Sequence, residues 1–140
     1  MSARPFARLR RLGSRRRRLL VTALLLLTGA SIAVAALPFR IAIRFGAVRQ
    51  SGRGGPTEED AVWAVEAASR LLPWRTMCIE KGLAVQRMLR SAGVDAVLHY
   101  GARQAPETGK LEAHVWVTAG RESIMGADEA PYFAEVASFP

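Results

Sequence analysis

The residues best suited to chemistry are a single cysteine and a histidine further along the chain, Cys78 and His114. A thiol becomes a nucleophile when it ionises, and the start of a helix helps it do so. There the first backbone N–H groups lack partners and the helix dipole is positive. Cys78 follows the turn-forming run Leu72-Pro-Trp-Arg-Thr-Met77 and precedes a helical pattern, so it falls at such a start with Thr76 as the expected N-cap. The same N–H groups could hold an oxyanion. A small buried cysteine is the plain alternative. His114 lies in the strand-like run Ala113 to Thr118, with Trp116 on the same face. A neutral imidazole beside a thiol can take its proton and later pass it to a leaving amine. An acid would orient that imidazole, with Asp128 the first choice and Glu122 the second. Trp74 and Trp116 are candidates to line a substrate cleft, or to serve as core aromatics. His99 has no metal-ligand spacing to another donor and reads as structural. No metal site and no cofactor are expected.

The elements that must position these groups follow from pattern. Thr57 caps a helix opening on Glu58-Glu59-Asp60, with apolar positions from Ala61 to Leu72 at helical spacing and Pro73 as its stop. A second helix runs from about Met77 to Ala92, with Gly93 as its C-terminal signal. Gly82 inside it would permit close packing on a sheet. Strands are expected at Val94 to Tyr100, Ala113 to Thr118 and Glu122 to Met125, with Tyr132, Phe133 and Phe139 packing the tail onto them. The order is that of an α+β unit with a small antiparallel sheet.

Charge divides the chain. Residues 1 to 53 hold 12 arginines and no acid, while residues 54 to 140 hold 8 Lys+Arg against 12 Asp+Glu, a balance of −4. A basic apolar front precedes a mildly acidic domain, which argues against a nucleic-acid binder. Residues 1–18 read as a basic flexible N-terminus and 19–49 as an apolar helix followed by a basic amphipathic segment. Residues 50–56 read as a linker, and 57–140 as the catalytic domain. Leu19 to Phe39 is 21 uncharged residues, enough at ~1.5 Å per residue to cross the ~30 Å hydrocarbon layer. It fits a membrane anchor, a signal peptide, or an oily helix packed on the domain or a partner. One cysteine excludes an internal disulfide.

The blocks Leu72-Pro-Trp-Arg-Thr-Met-Cys78, Ala84-Val-Gln-Arg-Met-Leu-Arg90, Ala92-Gly93-Val94 and Ala113-His114-Val-Trp116-Val resemble those of the lasso-peptide B proteins. The apolar segment ending in Leu37-Pro-Phe-Arg40 is similar too. These leader peptidases have a papain/transglutaminase-like fold, a nucleophile helix packed on a small antiparallel sheet. The resemblance implies Cys78 as nucleophile, His114 as base and Asp128 as the third member. It implies a precursor peptide as substrate, a separate leader-recognition protein, and an ATP-dependent cyclase resembling asparagine synthetase. It favours a packed or peripheral helix over a signal peptide, and a cytoplasmic site of action, at the inner face of the membrane if the helix attaches there. The rival readings are a non-enzymatic membrane-associated adaptor on the same fold, and another thiol acyltransferase.

Overall fold

The computed structural model describes residues 10–47, 55–126 and 128–140. The linker at 50–56 and the first half of the basic N-terminus therefore lie largely outside the described residues. Helix α1 spans Ser14–Ala36, and a short α2 spans Phe39–Ala42 and runs into a 3-10 turn at Ile43–Phe45. Helices α3 (Glu58–Leu71) and α4 (Cys78–Ser91) follow. Strands β1 (Ala96–Gln104), β2 (Leu111–Ala119), β3 (Glu122–Met125) and β4 (Ala134–Phe139) complete the chain. The sheet is antiparallel throughout, in the order β3-β2-β1-β4.

The helix boundaries have local causes. Thr57 Oγ1 accepts from the Asp60 N–H at 3.1 Å and Asp60 Oδ2 accepts from the Thr57 N–H at 3.5 Å, a reciprocal capping box at the start of α3. Helix α4 ends in a Schellman arrangement. Gly93, at φ 85°, gives its N–H to Arg90 O at 3.0 Å, and Val94 gives its N–H to Leu89 O at 2.9 Å.

Helices α3 and α4 pack on one face of the sheet, and α1 packs across those two helices. Leu20, Ala23, Leu27 and Ala30 of α1 recur at helical spacing and are buried against α3 and α4 in one core with Leu83, Leu98, Val115 and Val117. The apolar N-terminal helix is thus packed on the domain and is part of its core. Alanines carry much of this contact, at Ala23 and Ala30 of α1 and at Ala61, Ala64 and Ala68 of α3, so the helices approach closely. In the segment after α1, Ala42 and Ile43 are buried while Arg40, Ile41 and Arg44 are exposed.

Three sequence expectations are corrected. The N-cap of α4 is Met77, not Thr76, which moves Cys78 to the first helical residue. Strands β1 and β2 extend further toward their shared loop than Tyr100 and Ala113. The tail contributes a fourth strand, β4, paired with β1. Its first three residues are exposed, so it carries no unbroken apolar stripe for pattern reading to find.

Candidate active site

Cys78 is half-buried at the first position of α4. The first intrahelical bond of that helix is Lys81 N–H to Met77 O at 3.2 Å, and no side chain caps the turn before it. The N–H groups of Cys78, Ile79 and Glu80 are therefore the donors free to meet an anion beside the thiol. Arg75, Thr76, Met77 and Cys78 line an open hollow of about 600 Å³. The thiol at the helix start and a cationic side chain thus share one opening. Such a set suits attack on a carbonyl and stabilisation of the oxyanion that follows.

The run leading into Cys78 is anchored to α1. Trp74 Nε1 donates to Ser31 Oγ at 3.1 Å, and Ser31 Oγ donates to Glu80 Oε2 at 2.8 Å. One hydroxyl in the apolar helix thus ties together residues on both sides of the cysteine. Glu80 is buried, and Ser31 supplies the donor its carboxylate needs there. No pattern in the sequence pointed to Ser31, since one serine in an apolar run has no partner visible along the chain.

The helix and β2 run in the same direction. Gly82 lies against Val115 and Leu98, while Gln86, one turn on, donates from Nε2 to Ala96 O, whose residue pairs with Ala119. Extrapolated one turn back, Cys78 comes to the end of β2 that carries His114. The side chains of a strand alternate, however. Val115 and Val117 meet Gly82, so His114 and Trp116 project from the opposite face.

On that face His114 is buried in a polar and aromatic nest. Its Nε2 lies 3.0 Å from Gly126 O, and since a carbonyl only accepts, Nε2 carries the hydrogen of this bond. Nδ1 lies 3.6 Å from Glu129 Oε2. Its ring packs on Trp116 and Phe133 at centroid distances of 6.2 and 5.2 Å. Gly126 permits this approach, because its φ is 72° and a β-carbon there would stand 2.7 Å from Val115 O and 3.1 Å from His114 Nε2.

The structure thus brings Cys78 and His114 to one end of the α4–β2 pair but on opposite faces of the sheet. Among the described residues no hydrogen bond joins them. The carboxylate facing His114 belongs to Glu129, not to Asp128 or Glu122. Asp128 is exposed one residue before Glu129, and Glu122 is exposed at the far end of β3. Trp74 is held in the helical layer and Trp116 stacks behind the sheet, so the two tryptophans do not line one cleft. His99, read from the sequence as structural, lies in a network on the same face as Trp116. Its Nδ1 contacts Glu135, its Nε2 lies 2.8 Å from Thr118 Oγ1, and its ring stacks on Trp116 at 5.5 Å. Among the described residues no group of three or more His, Cys, Asp or Glu side chains could hold a metal ion.

The family model of the transglutaminase-like superfamily matches residues 24–138. That span takes in most of α1, both later helices and nearly all of the sheet, and the chain belongs to this superfamily. It is a class of cysteine peptidases and acyltransferases, in keeping with a thiol at the head of the helix that packs on the sheet. No curated protein and no solved structure matches the chain.

Proposed function

We propose that this chain is a cysteine endopeptidase that removes the leader from a ribosomally made precursor peptide of the lasso type. The observation that carries the reading is the place of Cys78, first in an uncapped helix and open to a hollow, within a superfamily of thiol enzymes. In this reading His114 takes the thiol proton, Sγ attacks the scissile carbonyl, and the free N–H groups of the first turn receive the oxyanion. The C–N bond then breaks and the amine fragment leaves, protonated by His114. Water releases the acyl fragment and restores the thiol. His114 reaches the thiol only if the part of β2 that carries it turns toward α4 and the imidazole gives up Gly126 O, in the segment after β3. Peptide binding at the hollow is the step that would drive this. Glu129, the acid nearest Nδ1, then orients the ring in preference to Asp128. The chain works beside a separate leader-recognition protein, on the cytoplasmic side, and a cyclase resembling asparagine synthetase closes the ring afterwards.

The experiment mixes the full chain with a precursor peptide and the recognition protein and follows peptide mass. Wild type yields the two hydrolysis fragments, and Cys78→Ala and His114→Ala yield neither. Normal cleavage by Cys78→Ala would sink the reading. Amine incorporation in place of water addition would indicate an acyltransferase.

The opposite-face position of His114 favours a second reading, a non-enzymatic adaptor in which the thiol is inert. A thiol-directed probe separates the two. The adaptor labels no faster than the denatured chain, whereas the peptidase labels faster, and labels faster still with its peptide bound.

A further inference from the structure

Helix α1 has two apolar faces, and only one is covered. Leu20, Ala23, Leu27, Ala30 and Ala33 point into the core. On the opposite side Val21, Leu25 and Ile32 are 55%, 70% and 62% exposed, and at 100° per residue they share a face with Arg18. Beyond the helix, Leu37 and Ile41 are exposed as well. Arginines bracket the exposed face of the helix, with Arg17 and Arg18 exposed before it and Arg40 and Arg44 exposed after it. We propose that this face docks, lying flat, on the surface of a bilayer containing anionic lipid.

Three observations select that occupant. An apolar strip with cationic ends matches an acyl-chain boundary beneath anionic headgroups. A second copy of the chain fits poorly. A symmetric pairing sets each arginine end against its own kind or the other arginine end, and residues 1 to 53 contain no acid to offset it. A span is opposed by the inner face. α1 is tied to the domain by Ser31 to Glu80, by Arg15 Nη2 to Asp60 Oδ2 at 2.8 Å, and by Arg16 over the Trp63 ring at 4.8 Å. Crossing the bilayer would break all three and uncover the core stripe of α3 and α4. The helix is long and apolar enough to span, but only by leaving the fold that the rest of the chain builds around it. Docked flat, it keeps the fold and leaves the hollow beside Cys78 anchored, through Ser31 and Trp74, to a membrane-seated helix.

The test is co-sedimentation of the full chain with vesicles of phosphatidylcholine alone or mixed with phosphatidylglycerol. Binding to the anionic vesicles should exceed that to neutral ones by tenfold or more, since each arginine near such a surface contributes roughly a fivefold gain. It should weaken in about 1 M salt, where the screening length falls to ~3 Å. Leu25→Glu and Ile32→Glu should each reduce binding about tenfold with an unchanged unfolding midpoint, because both side chains are exposed. Arg17→Glu with Arg18→Glu should abolish the preference for anionic lipid. Equal binding to both vesicles, no binding, or binding unaffected by Leu25→Glu would overturn the proposal. So would resistance to alkaline extraction, which marks a span, or a dimer in lipid-free solution that Leu25→Glu dissolves.

Discussion

Gly82 lies so close to Val115 that a β-carbon on the glycine would stand 3.0 Å from Val115 Cγ1, and 2.8 Å from Leu98 Cδ1. This contact sets the depth at which α4 sits on the sheet, and so the height of Cys78 above it. Alanine is the better helix former by about 1 kcal/mol. Here it would overfill a gap between a stiff β-branched side chain and a fully buried leucine, at a cost of about 1–3 kcal/mol. Gly82→Ala is therefore expected to lower stability by up to about 2 kcal/mol net, measured by urea unfolding. A stabilised variant would show that the helix rides higher.

Ser31 offers a sharper probe of the approach to Cys78. Ser31→Ala leaves the buried Glu80 carboxylate without that donor and frees the Trp74 indole. An unsatisfied buried group costs about 1–3 kcal/mol, so the unfolding free energy should drop by that order. Trp74 emission should shift to the red as its ring gains water. Ser31→Thr keeps the hydroxyl and should retain most of the wild-type signal. If Ser31→Ala leaves both stability and emission unchanged, the hydroxyl does not hold the run.

What the sequence disclosed, and what it hid, divides along one physical line. Local chemistry was legible. Thr57 and the acids after it announced a capped helix, Gly93 its counterpart at the end of α4, and Gly82 a close approach to the sheet. Each of those signals acts over a few residues. The β4 strand was not legible, because an edge strand exposed along most of its length needs no apolar alternation. Nor were relations across the chain. Ser31 and Trp74 are 43 residues apart, and only the packing of α1 makes them partners. The same limit applied at the site. Strand alternation put His114 with Trp116 on one face, which was readable, but which face α4 would cover was not.

The acid beside His114 yields a direct comparison. Glu129 Oε2 stands 3.6 Å from Nδ1, and its side chain is 69% exposed. Asp128 is its neighbour and points to solvent without a partner at the ring among the described residues. If the proposed peptidase uses His114, Glu129→Gln should lower kcat/KM by about tenfold. That falls well short of the roughly 10⁴-fold loss in kcat seen when a buried orienting carboxylate is changed, because water screens this one. Asp128→Asn should stay within about twofold of wild type. The reverse order of effects would return the role to Asp128.

The last prediction concerns acid. Burial pushes the Asp60 carboxyl upward, but the Thr57 backbone N–H, the Thr57 hydroxyl and the Arg15 guanidinium outweigh it and hold the carboxyl below its ordinary value of 3.8. Folded chain thus binds this proton less readily than unfolded chain. The contribution to stability is complete above pH 3.8 and is lost as pH falls through the lower folded value. Asp60→Asn removes that dependence while keeping a side chain that can still cap. The variant should be less stable than wild type at neutral pH, and the gap should narrow as the solution is taken below pH 3.8. Arg15→Ala should give a smaller loss of the same sign, since an exposed ion pair contributes about 0.2–1 kcal/mol. Because Arg15 belongs to α1 and Asp60 to α3, a parallel pH response in both variants would show the N-terminal helix seated on the domain in solution, whereas an Arg15→Ala chain indistinguishable from wild type would show it displaced.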